Sequence, residues 1–199
     1  MIYLIRHGQT EFNREGRMQG RLDSPLTELG VEQARRMGGH LRARLDDPAL
    51  WSIISSPLGR ARRTAEIVRE TLGLDCAIEF DDRLAEIHVG AWEGLTRTEI
   101  EVVAPGVHGT PGWIFKAPGG ESRDDVAARV GGWLHELEQT DGRRRVVVSH
   151  GLAGGVLREL YAGGTLEQAR PPQDAVFRLY RGAVERIDEP PAPITQAGA

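Results

Sequence analysis

The sequence predicts an α/β protein: a three-layer sandwich whose mostly parallel central sheet is covered by helices on both faces. Three observations carry this reading. Short apolar runs recur at residues 2–6, 51–55, 76–80, 145–149 and 175–180. Helical patterns lie between them, and strands alternating with helices indicate parallel βαβ units. Ile2–Ile5 and Val146–Val148 are apolar throughout, as expected of strands buried on both faces of a parallel sheet.

Each element has a local cause. After the strand at 2–6, Thr27 caps a helix in which Val31, Ala34, Met37, Leu41 and Leu45 recur at helical spacing. The strand at 51–55 leads into Ser56-Pro57, a helix start with proline at the first helical position. Ala61, Ala65, Val68 and Leu72 mark that helix's buried face, and Gly73 stops it. Thr96 with Glu99 forms a capping box. Residues 104–120, rich in Gly and Pro and carrying Trp113 and Phe115, read as a surface loop long enough to act as a lid. Ser122 with Asp125 opens a helix that turns Val126, Val130, Trp133, Leu134 and Leu137 inward. Residues 152–161 form a short helix. Residues 175–180 and 183–187 flank Arg181-Gly182 as a terminal hairpin. One domain thus spans 1–188 with its lid loop near 104–120, and 189–199, with Pro190, Pro191 and Pro193, reads as a flexible tail.

Composition narrows the function classes. With 199 residues the chain is long enough for one full core. A net charge of −4 without blocks of like charge gives no footprint for nucleic acid. The single cysteine, Cys76, cannot form an internal disulfide, which points to a reducing compartment. Neither a charged leader nor a long apolar run is present. A cytoplasmic enzyme or binding protein without a membrane partner is the expectation.

Two segments end alike. Residues 2–8 finish in Arg-His-Gly and residues 146–151 in Ser-His-Gly. His7 and His150 therefore fall at the carboxyl ends of core strands, where open α/β sheets bind ligands. Gly8 and Gly151 let the backbone turn there. Arg6 beside His7 points to an anionic substrate. Thr10, Asn13, Gln19 and Gly20 follow within one turn region and supply donors and a flexible backbone for binding it. The alternative for Asn13 is a cap on the turn after the strand.

The run Arg6-His7-Gly8-Gln9-Thr10 with Asn13 resembles the signature of the histidine phosphatase superfamily, the phosphoglycerate-mutase-like proteins. Ser55–Ala61 with Thr64-Ala65-Glu66 resembles the family's second motif, and places Arg60 in its phosphate pocket. Leu84-Ala85-Glu86 and Gly90–Gly94 resemble the third, which implies Glu86 as proton donor. Gly119–Ser122 and Ser149-His150-Gly151 complete the order. The resemblance implies a metal-independent phosphatase that hydrolyses small phosphomonoester metabolites through a phosphohistidine, with no cofactor and with a homodimer left open. His7 is then the nucleophile, Arg6, Arg60 and His150 hold the phosphoryl oxygens, and Glu86 serves the leaving group. Residues 17–20 and 119–129 also look similar to actinobacterial glucosyl-3-phosphoglycerate phosphatases, over stretches too short to fix a substrate.

Competing readings remain beside these. Arg60, with Arg62 and Arg63, reads equally as a solvated helix face. Glu79, Asp81, Asp82 and Glu93 are rivals to Glu86. Trp92, Trp113 and Phe115 either wall the Glu86 carboxyl or only anchor the 104–120 loop. His40, His88, His108 and His135 stand outside any motif. Two histidines and a glutamate resemble a zinc set, but two arginines at the same point would repel the ion. A cofactor-dependent mutase would need extra basic groups for a second phosphate, and residues 95–118 offer only Arg97 and Lys116. A phosphate-binding protein without catalysis is the third reading.

Overall fold

The computed structural model describes residues 1–138, 144–164 and 173–187. Its elements are β1 (Ile2–Arg6), α1 (Glu11–Arg14), α2 (Glu28–Arg42), β2 (Trp51–Ser55), α3 (Gly59–Leu72), β3 (Ile78–Phe80), α4 (Arg97–Val103), α5 (Arg123–Glu138), β4 (Arg144–Ser149), α6 (Gly151–Ala162), β5 (Val176–Tyr180) and β6 (Ala183–Arg186). One sheet runs in the order β3-β2-β4-β1-β5-β6. The first four are parallel, β5 pairs antiparallel with β1, and β6 pairs antiparallel with β5. The expected tail at 189–199 lies outside the described residues.

The alternation of side chains along a strand splits the core in two. Ile2, Leu4, Ile54 and Val147 face α5 and α6 through Val126, Val130, Trp133, Val156 and Leu157. Tyr3, Ile5, Ile53, Val146 and Val148 face α2 and α3 through Ala34, Met37, Leu41, Ala61, Ala65 and Val68. The strands are buried because both faces are covered, which is the layering their unbroken apolar runs required.

Most local signals act as expected. Thr27 accepts the Gly30 N–H, Thr96 and Glu99 exchange both capping-box bonds, and Gly73 ends α3 at φ 68°. Ser122 and Asp125 each accept the other's backbone N–H. At the hairpin, Arg181 (φ 51°) and Gly182 (φ 76°) are both left-handed, the pair of angles that matches strand twist in a two-residue turn. Two expectations are corrected. The third strand starts at Ile78 and not at 76. The third helix starts at Gly59 with Leu58 as a cap that makes no side-chain bond, because the Ser56 oxygen accepts the Leu58 N–H, which lies ahead of the helix.

The turn after β1 is pressed against the first turn of α2. A Cβ on Gly30 would lie 2.0 Å from Gln9 O, and one on Gly8 2.2 Å from Gly30 O. Neither contact can be relieved by rotating a side chain. Gly30→Ala is therefore expected to destabilise the fold by about 2–3 kcal/mol or more. Urea unfolding checks this, and a midpoint equal to that of the parent chain would reject it.

Candidate active site

Strand pairing brings the two His-Gly segments together. Arg6 is opposite Ser149 in the parallel β1–β4 ladder, so His7 and His150 leave neighbouring strands at the same edge. Their ring centroids are 5.0 Å apart. β2 flanks β4 on its other side, where Ser56 N–H donates to Val148 O at 2.9 Å. Ser56, His150 and His7 thus stand in a row along the carboxyl edge.

His7 is set as a neutral base. Its Nδ1 lies 2.8 Å from Gly8 O, and a carbonyl only accepts, so Nδ1 carries the hydrogen and Nε2 the lone pair. Burial first, then the guanidinium groups of Arg6 and Arg60, hold its pKa well below the usual histidine range.

Arg60 is 2 % exposed, and its guanidinium is fixed on every side. Nε points at His7 Nε2 at 3.3 Å, Nη1 donates to Leu22 O (2.7 Å) and Asp23 Oδ1 (3.1 Å), and Nη2 to Gly20 O (2.8 Å). Asp23 Oδ1 also accepts the Arg60 backbone N–H at 3.2 Å. It is the α3 cap, supplied from a distant loop. Gly59 makes room for it, since a Cβ there would sit 2.0 Å from Asp23 Oδ2. The solvated-face reading fails at Arg60 and holds for its neighbours: Arg63 pairs with Glu66 and Arg62 lies 3.9 Å over the Phe80 ring.

A cavity of about 190 Å³ opens before His7. Arg6, His7 and Asn13 line it together with residues 16–20, Arg60, Glu86, Ile87, Val89, Gly151 and Leu152. Glu86 is the one carboxylate among the described lining residues. Its Oε1 accepts N–H bonds from Ile87 (3.1 Å) and Ala153 (3.0 Å), and Oε2 accepts that of Leu152 (3.2 Å). The carboxyl thereby sits on the open N-terminus of α6, a position that favours anionic groups. None of the rivals lines the cavity: Asp81 pairs with Arg83, Glu93 accepts the Arg21 backbone N–H, and Glu79 and Asp82 lie outside the lining. Gly151 is needed for Arg6, whose Cζ would be 3.3 Å from any Cβ there.

Other expected residues stand one layer back. Thr10 does not line the cavity. It is fully buried, and its hydroxyl oxygen is spent accepting from Gln19 Nε2 (2.7 Å) and Asn13 N (3.2 Å). Asn13 both lines the cavity and closes a capping box with Thr10, so its two readings are compatible. His150 is fully buried behind the lining, with Nε2 at 2.7 Å from Ser56 Oγ. Burial, then Arg60, His7, Arg6 and Arg129, hold its pKa well below the usual range.

The aromatic wall is corrected. Trp92 packs at a tilt against Trp113, ring centroids 5.7 Å apart, and Trp113 meets the His108 ring edge-on at 4.4 Å; neither Trp113 nor Phe115 reaches the cavity. They anchor the 104–120 segment, which contributes no lining residue. Ile87, Val89, Leu152 and Met18 are the apolar lining instead.

Three residues escaped sequence reasoning. Asp23 acts 37 positions from Arg60. Gln173 donates to Asn13 Oδ1 at 3.0 Å and to His7 O at 3.3 Å. Arg129 donates to Arg83 O and Ala85 O at 2.7 and 2.8 Å while pairing with Glu121, which steadies the backbone just before Glu86. None carries a local signal, because each acts across the fold.

Comparison with known proteins agrees with the geometry. The family model described as histidine phosphatase superfamily (branch 1) matches residues 2–177. The chain belongs to this superfamily. A relative from Salmonella choleraesuis named "Probable phosphoglycerate mutase GpmB" is 42% identical over 94% of this chain and 84% of its own. The solved mycobacterial glucosyl-3-phosphoglycerate phosphatase in complex with VO3 is 33% identical over 88% of each chain, with a TM-score of 0.74. The alpha-ribazole phosphatase from Shigella flexneri shares the fold at 23% identity and a TM-score of 0.77, over 94% of this chain and 96% of its own. Among the described residues no helix is long and apolar enough to cross a membrane, and no group of three or more His, Cys, Asp or Glu side chains is placed to hold a metal ion.

Proposed function

We propose that this superfamily member is a phosphatase that hydrolyses small phosphomonoesters through a phosphohistidine on His7, without a metal. The observation that carries this is the lone pair of His7 Nε2, held at the cavity by the Nδ1–H bond to Gly8 O, with the Arg60 cation 3.3 Å away. Nε2 attacks phosphorus and the ester oxygen leaves with the proton of Glu86, whose carboxyl enters this step as the acid and ends it as the carboxylate. Water, deprotonated by the same carboxylate, then cleaves the P–N bond and restores the neutral imidazole. Arg6 and Arg60 face the phosphoryl oxygens as their charge redistributes. Leu22 O, Asp23 Oδ1 and Gly20 O already fix the plane of Arg60, and its Nε–H, which rests on the His7 Nε2 lone pair, passes to a phosphoryl oxygen as Nε2 attacks.

The relatives' mutase name makes the alternative concrete. A mutase must also clamp a second phosphate. Arg17, the further cation lining the cavity, is paired with Glu15 at 2.8 Å and Glu99 at 3.4 Å. Arg21 beside it faces Glu121 at 3.5 Å. These pairs leave the rim poor in free positive charge and favour the phosphatase. The test gives the protein 3-phosphoglycerate with and without its bisphosphorylated form, and a panel of phosphorylated sugars and nucleotides, each with and without chelator. Inorganic phosphate released at a rate indifferent to chelator is expected. Isomerisation outrunning release would establish the mutase, and silence on every substrate the binding protein.

Arg60→Ala should cost transition-state binding by about 3 kcal/mol, read as a loss near 10²-fold in kcat/KM. A loss within about twofold would return Arg60 to the helix-face reading.

A further inference from the structure

His150 holds a buried nitrogen whose hydrogen-bonding is incomplete. Nε2 is 2.7 Å from Ser56 Oγ, whereas Nδ1 is buried without a hydrogen-bond partner among the described residues. Ser56 is itself fully buried, and its Oγ also accepts the Leu58 N–H at 3.3 Å. Two proton arrangements satisfy the distances. If Nε2 carries the hydrogen and donates to Oγ, the serine oxygen accepts twice. Its own hydroxyl hydrogen then has no acceptor among the described residues, and the Nδ1 lone pair is bare. That leaves two unsatisfied buried groups. If instead Ser56 donates its hydrogen to Nε2, only Nδ1–H is unsatisfied. Burial without a partner is costly for each such group, so the second arrangement has the lower energy.

We propose that Ser56 is a positioning residue that fixes His150 as the Nδ1–H tautomer and so keeps a buried N–H donor ready for an anionic oxygen. The two imidazoles are then set to opposite duties by their neighbours. A carbonyl, which only accepts, pins the His7 hydrogen on Nδ1 and leaves a lone pair on Nε2. A hydroxyl, which donates, occupies the His150 lone pair and leaves a hydrogen on Nδ1. Strand order brings the three residues together: Ser56 follows β2, His150 follows β4 and His7 follows β1, three neighbours in the sheet. The serine oxygen accepts the Leu58 N–H just ahead of α3 while its hydrogen serves the imidazole. An anion is the ligand this donor suits, because the His150 ring centroid lies 5.0 Å from that of His7, which lines the cavity together with Arg6 and Arg60.

Long-range ¹H–¹⁵N correlation spectra of the labelled protein at neutral pH read the tautomer directly, with the His150 signals identified by their loss in His150→Asn. The parent chain is expected to show a protonated Nδ1 and an unprotonated Nε2, and added inorganic phosphate should shift Nδ1. A protonated Nε2 in the parent chain overturns the proposal, without recourse to any variant. Ser56→Ala should give a mixed or reversed tautomer and lose about 10–100-fold in kcat/KM. Ser56→Thr, which keeps the hydroxyl, should restore both. Ser56→Ala with the parental tautomer also overturns it. The kinetic comparison rests on the phosphatase reading and the spectra do not: absence of turnover would remove that reading and leave the tautomer assignment standing.

Discussion

His7→Ala is expected to abolish phosphomonoester turnover, with a loss on the order of 10⁴-fold or more. His7 is the one imidazole among the described lining residues, and the arginines beside it stabilise charge but cannot accept a phosphoryl group. Rapid quench of the parent chain should trap acid-labile phosphate on His7 and on no other residue. The burial and flanking cations that depress its pKa also predict the pH profile. A base that stays unprotonated well below the usual histidine range keeps kcat/KM from falling at pH 6, so any acid limb attributable to His7 lies lower. The same shift has a stability consequence. The unfolded chain takes up a proton at His7 near pH 6.5 while the folded one does not, so stability falls as pH drops below that value toward the folded pKa. His7→Ala removes this contribution, and its urea midpoint should decline less steeply between pH 7 and 5 than that of the parent chain. Phosphate trapped on another residue would reject the nucleophile.

What the sequence made legible follows from where the information lies. The strands at 2–6 and 51–55 are read correctly because burial on both faces forces consecutive apolar residues. The His-Gly ends are legible because parallel pairing puts equivalent positions of β1 and β4 side by side. The α3 boundary is misread for a definite reason. A serine before proline is a good cap in isolation, but here its oxygen accepts the Leu58 N–H ahead of the helix, and a carboxylate from residue 23 accepts the Arg60 N–H inside its first turn. Local rules describe what a residue does when nothing better is in reach, and at a functional site something better usually is. Thr10, expected to touch substrate, is instead buried under Gln19. Asp23, Arg129 and Gln173 each act on residues far along the chain, and no spacing within one segment encodes such a contact.

Glu86→Gln is expected to separate substrates by leaving group. A sugar alkoxide needs a proton as the ester bond breaks, whereas a nitrophenolate hardly does. Loss of the acid should slow phosphoryl transfer to His7 from a sugar phosphate by about 10²–10⁴-fold, and from a nitrophenyl phosphate by less than about tenfold. The second step lacks its base in the same variant, so the aryl substrate should give a burst of nitrophenolate followed by slow turnover, with phosphohistidine accumulating. One structural effect could imitate a catalytic one. The carboxyl accepts three backbone N–H bonds, through both of its oxygens, and an amide offers a single acceptor. Its NH₂ group would face either Leu152 N–H or Ala153 and Ile87 N–H, so the start of α6 and Gly151 against Arg6 would shift. That misfit disturbs phosphate binding irrespective of the leaving group. It would slow the first step equally for both substrates and produce no burst. Pre-steady-state kinetics on the two substrates therefore distinguish a lost proton from a displaced helix. Equal slowing without a burst would remove Glu86 from the acid role and leave it as the cap that holds α6 over the site.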